Sequence, residues 1–166
     1  MKAVLLVLTL LSVAYCGHIF VEDPILKWQN ADQFMGATLR FSLESGTSKD
    51  TLLRITWPFA WASSKSGVLN EGTTKKSSGT VSVDSSGKIL RYTVGAALTK
   101  GVWYELVITQ SAATAATAGV YVDPIKMETI SDNSANGIVY DSNPSCGQIS
   151  FSGNVGALKK IQVSTD

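Results

Sequence analysis

ATLRFSLESGTSKDTLLRITWP, residues 37–58, carries the reading of the fold. Leu39, Phe41 and Leu43 alternate with Thr38, Arg40 and Ser42, the period-two pattern of a strand with one buried face. Leu53, Ile55 and Trp57 repeat that alternation less cleanly, and Pro58 ends the run. SGTSKD (45–50) between them is rich in turn residues, so the two strands are expected to form a hairpin.

Working outward, period two recurs and period 3.6 almost never does. TVSV (80–83), the turn DSSG (84–87) and KILRYTV (88–94) read as a second hairpin. VWYELVITQ (102–110) is apolar on both faces, which predicts a central strand covered from two sides. VYVDPIKMETI (120–130), GIVY (137–140), QISF (148–151) and LKKIQV (158–163) add short strands, and HIFVE (18–22) adds one at the front. PFAWASSKSGVLNEGTTKKSSG (58–79) is polar, broken by Phe59, Trp61, Val68 and Leu69, and gives no clear element. SAATAATAG (111–119) lacks an apolar stripe and is expected to be a small-residue loop or a short turn of helix. About ten strands at this spacing predict an all-β fold, an antiparallel two-sheet sandwich of immunoglobulin-like type. That domain is expected over 37–166, with 17–36 an N-terminal arm or first strand.

The front of the chain, MKAVLLVLTLLSVAYC (1–16), places Lys2 before an apolar run that ends in small residues. This is the layout of a secretory signal peptide, and its apolar run falls well short of the about 20 residues a membrane helix needs. A secreted, extracellular or cell-surface protein is therefore expected. Two cleavage points fit the small-x-small rule, after Ala14 or after Cys16. The first would leave Cys16 to pair with Cys146; the second would leave Cys146 unpaired. Loss of Lys2 takes the formal side-chain charge from +1 to 0. No basic surplus remains to favour nucleic acid or an anionic membrane as partner. A near-neutral chain resists self-association poorly, which points to other copies of itself or other extracellular proteins as partners.

Catalytic vocabulary is sparse. His18 is the only histidine, near the expected mature N-terminus, and a triad, a zinc site or a histidine base would each need it. The thirteen acids are scattered singly, without the paired carboxylates of a glycosidase. No enzyme and no required cofactor is expected. DNSANGIVYDSN (132–143) echoes the start of a calcium loop, with Asp132, Asn136 and Asp141 as candidate ligands, although Asn143 stands where a closing Glu would be needed. An ordinary Asx-rich turn is the simpler reading. Trp57, Phe59 and Trp61, spaced by two, would share one face of an extended chain and could stack on sugar rings. Pro58 disturbs that regularity, and core packing, which uses such residues as readily, is the favoured reading.

ATLRFSLESGTSKDTLLRITWP, then ALTKGVWYELVITQ (97–110), then METISDNSANGIVYDSN (127–143) together resemble repeated β-sandwich modules in large extracellular surface proteins of single-celled eukaryotes such as ciliates. In those modules an amphipathic strand leads to an apolar one ending in an aromatic-Pro pair, and a later G-x-x-Y strand precedes a Thr-x-Ser turn. The likeness spans about residues 37–141, and the chain departs from the cysteine-rich examples. It implies a structural or adhesive role without catalytic residues to carry over. The leading expectation is a secreted structural or assembly protein, a subunit of an extracellular filament, coat or matrix. His18, Ile19, Phe20, Val21, Ile25, Leu26 and Trp28 would form an arm that adds as a strand to a neighbour. The alternative is a carbohydrate- or protein-binding surface module using exposed Trp57, Phe59 and Trp61.

Overall fold

Alternating sequence becomes strand throughout the computed structural model, which describes residues 17–22, 24–30, 33–61, 65–115, 119–121, 123–131, 137–146, 148–151 and 162–164. The strands are β1 (Gly17–Val21), β2 (Ile25–Asn30), β3 (Gln33–Leu43), β4 (Leu52–Thr56), β5 (Lys65–Glu71), β6 (Thr74–Val83) and β7 (Ile89–Thr93). They continue with β8 (Trp103–Ala115), β9 (Gly119–Tyr121), β10 (Lys126–Ile130), β11 (Val139–Asn143), β12 (Gln148–Phe151) and β13 (Gln162–Ser164). Among the described residues there is no helix, and hence none able to cross a membrane.

Nine strands close on themselves in the order β1, β11, β10, β4, β7, β6, β5, β8, β3 and back to β1. The expected immunoglobulin-like sandwich of two sheets is thus overturned: the fold is a closed barrel formed by one sheet. Two strands that change partner along their length make the difference. In β1, Gly17 and His18 pair with β11, whereas Ile19, Phe20 and Val21 pair with β3. In β6, the stretch from Thr74 to Thr80 pairs with β5, and Val81, Ser82 and Val83 pair with β7. Each stitches one wall to the other, leaving no gap to separate two sheets. Nor is the barrel wholly antiparallel, because β1 and β11 run parallel. β2 lies outside the ring on the β3 edge, and β9, β12 and β13 form a separate small sheet.

Other local expectations change with the pairing. β3 and β4 are not a hairpin: β3 pairs with β8, β1 and β2, and β4 pairs with β7 and β10. The segment between them crosses the barrel end, held by the Thr47–Leu98 bridge and by Asp50 at a φ of 70°. The polar stretch after Trp61 contains the β5–β6 hairpin, and β8 extends through Ala115 where a loop was expected. The outer face of β8 is not covered either: Trp103 is exposed, and Glu105 and Val107 are half-buried. The turn at Asp84 forms as its sequence implies. The amide of Gly87 donates to the Asp84 carbonyl across 3.0 Å, and the Asp84 carboxylate accepts from the Ile89 amide and the Ser86 hydroxyl.

Inward residues of the alternation fill the barrel. Leu39, Phe41 and Leu43 of β3 meet Leu53 and Ile55 of β4, Leu90 and Tyr92 of β7, and Tyr104, Leu106 and Ile108 of β8 in one core. Each such side chain contributes about 1.5–3 kcal/mol by leaving water. Gly67 of β5 is part of this packing, because a Cβ there would meet the Tyr92 ring at 2.7 Å.

Candidate functional site

The two ends of the barrel differ in chemistry. One gathers aromatic rings. Pro58 turns the chain off β4, and Trp57, Phe59 and Trp61 fold inward against Phe34 at the start of β3. Phe34 lies edge-to-face on Phe59 at 5.0 Å and on Trp61 at 4.6 Å, while Trp57 and Trp61 are 5.2 Å apart. Trp57, Phe59 and Trp61 are only 1, 7 and 5% exposed. The alternative of a surface strip for stacking on sugar is therefore not formed; Pro58 breaks the extended geometry that would have presented it.

Polar groups lie in the same interior. Lys65 begins β5 directly across from Gln110 of β8, and both side chains are buried. Neither the Lys65 ammonium nor the indole N–H groups of Trp57 and Trp61 have a hydrogen-bond partner. Burial holds the Lys65 pKa below the usual lysine range. Two indole donors in the cluster and the Lys65 ammonium, tied to it through its register partner Gln110, are buried donors that an acceptor could satisfy. Lys65 and Gln110 were missed by the sequence reading. Their signal was phase: Lys65 is in step with Leu69 on β5, and Gln110 with Leu106 and Ile108 on β8.

Carboxylates mark the opposite end. Asp141 of β11 is 0% exposed, and its Oδ2 accepts from the Ser45 amide at 3.1 Å. Glu44 accepts from the His18 amide at 2.8 Å. The His18 ring itself is exposed and packs on Phe20. Known protein families, curated proteins and solved structures offer no match to this chain.

The remaining expected residues fall as follows. His18, Ile19, Phe20 and Val21 are not a free arm, since β1 is a stave of the barrel with Ile19 fully buried. Of the other arm residues, Ile25, Leu26 and Trp28 lie in β2, and Ile25 is 68% exposed. Asp141 is turned inward to Ser45, and its proposed calcium partners Asp132 and Asn136 lie outside the described residues. No group of three acidic, His or Cys side chains among the described residues could hold a metal ion. Cys146 is a free, buried thiol at the aromatic end, its pKa pushed up to about 12 by burial; Cys16 lies outside the described residues.

Proposed function

We propose that this chain is a non-catalytic extracellular module that associates with a second copy of itself through β2. A closed ring removes open strand edges. β2 supplies one, because among the described residues it pairs with β3 alone, and the observation that carries the reading is this tenth strand beside exposed Ile25 and Phe20. Antiparallel pairing of two β2 strands about their common centre sets residue 25 against 30, 26 against 29 and 27 against 28. Lys27 then faces Trp28 of the other copy rather than a second lysine, so no like charges oppose one another. A two-fold contact of this kind closes as a dimer. The signal-like N-terminus and the near-zero charge support the reading. Sedimentation of the secreted protein across micromolar concentrations tests it: a reversible dimer abolished by Ile25→Lys is expected, and a monomer at every concentration overturns it.

A second reading rests on the three unpartnered donors at the aromatic end. They favour a small apolar ligand carrying an acceptor head, such as a fatty carboxylate, held by Lys65 among the rings. Titration with laurate should give a saturable change in tryptophan emission that Lys65→Met removes. An unchanged spectrum counts against this reading.

A further inference from the structure

Asp141 and Gly17 occupy the seam where the barrel closes. They are register partners in the parallel β1–β11 pair. The Asp141 side chain is fully buried, and while Oδ2 takes the Ser45 amide, Oδ1 has no hydrogen-bond partner. A Cβ added at Gly17 would overlap that same Oδ1 and crowd the Ser45 hydroxyl. The carboxylate therefore rests directly on the Gly17 main chain, where only glycine fits.

Two carboxylates come close together here. Glu44 brings a second carboxylate to the next residue, accepting from the His18 amide at 2.8 Å. From β10, Thr129 offers only a hydroxyl, which accepts from the Asp141 amide at 2.9 Å. No described lysine or arginine is ion-paired to Asp141. A buried carboxylate with half its acceptor capacity unused is costly unless a cation meets it. The group best placed to become one is the nitrogen of Gly17, and Gly17 follows Cys16, one of the two cleavage points the sequence allows.

We propose that export processing cuts the Cys16–Gly17 peptide bond and that the α-ammonium so created pairs with Asp141, locking the seam. Water is the co-reactant, delivered by the endoprotease that removes export signals. The carbonyl carbon of Cys16 takes the hydroxyl and departs with the signal as a carboxylate, while the Gly17 nitrogen gains a proton and becomes a primary ammonium. One amide donor thereby becomes three charged ones beside two carboxylates. Cleavage after Ala14 would leave Gly17 an uncharged amide with Tyr15 and Cys16 ahead of it. Processing after Cys16 also makes Cys146 the sole cysteine of the mature chain, in keeping with its buried thiol at the other end of the barrel.

Intact mass and N-terminal sequencing of the naturally secreted protein give the first test. A chain beginning at Gly17 is expected, and one beginning at Tyr15 or elsewhere overturns the proposal. The second test asks whether the charge matters, by placing Asp141→Asn in a chain that starts at Gly17 and in one that retains two alanines ahead of it. The substitution should lower the melting temperature by roughly 5 °C or more in the first and much less in the second. Equal losses in both overturn the pairing. Should Asp141→Asn fail to fold, the α-amino group of the otherwise unaltered Gly17 chain, titrated by NMR, still decides. Its pKa should stand above the ordinary value of about 8, and an ordinary or lowered value refutes the ion pair.

Discussion

The side-chain amide of Gln110 donates to the carbonyl of Phe34 across 2.6 Å, at the place where the β3–β8 ladder breaks. Phe34 is opposite Thr114 and Gly36 is opposite Thr109, so β8 carries extra residues there and its regular pairing lapses. Gln110 spans the lapse and fixes Phe34 beneath Trp57, Phe59 and Trp61. Gln110→Ala should lower stability by about 2 kcal/mol in urea unfolding, and the near-ultraviolet dichroism of the aromatic cluster should weaken with it. Unaltered values for both would show that the cluster holds itself.

Gly67 lies under Tyr92, whose hydroxyl is 2.7 Å from the Ser77 hydroxyl. Gly67→Ala should push the ring outward, separate it from Ser77 and destabilise the barrel by about 1–3 kcal/mol. Tyr92→Leu in the Gly67→Ala background should recover part of the loss, since the smaller side chain vacates the contested space. The double-mutant cycle measures that coupling.

Lys65 is held among apolar groups with its pKa lowered by desolvation. A depressed lysine pKa means that the unfolded chain binds the proton more tightly, so stability should rise as pH increases toward the usual lysine range. Lys65→Met should remove that slope and stabilise the barrel by about 1 kcal/mol at neutral pH, read from thermal melts across pH. A destabilised variant would indicate that the ammonium has a favourable role in the folded chain.

Cys146 titrates the opposite way. Its folded pKa of about 12 stands above its ordinary 9.0, so the neutral thiol is favoured by folding. The stability contributed by Cys146 is full below pH 9.0 and falls as pH rises toward about 12, because the unfolded thiol ionises first. Tyr92, pushed up chiefly by burial, adds to the same alkaline fall. The share due to Cys146 is therefore the difference between the native chain and Cys146→Ala. Alkylation of the native thiol at pH 8 should be slow and become rapid in denaturant.

Alternation in the sequence identified many inward-facing residues. Leu39, Phe41, Leu43, Leu53 and Ile55 are all core, and Asp84 turns the chain where its side chain can take the Ile89 amide. What alternation lacks is the identity of the partner strand. A period of two says that Leu43 and Leu53 face inward, and it is equally satisfied by a hairpin and by two distant staves. The choice was made by long-range contacts such as Thr47 with Leu98, and by the partner changes inside β1 and β6, for which no residue type is diagnostic. Polar residues inside the barrel were hidden for a related reason. Lys65 and Gln110 are on inward positions, but a polar residue at a strand end reads as surface. The spacing of Trp57, Phe59 and Trp61 alone suits a surface strip as well as a core; their burial follows from the turn at Pro58.

The seam between β1 and β11 is made by segments from opposite ends of the barrel sequence: the Asn143 side chain donates to the carbonyl of Ile19, 124 residues away. A ring joined this way cannot shut until nearly the whole chain is present. While the polypeptide is still being synthesised, β1 has emerged and β11 has not, so the growing molecule remains an open, unfinished sheet. Closure is then timed by the arrival of the last stave, and folding to completion follows synthesis rather than accompanying it.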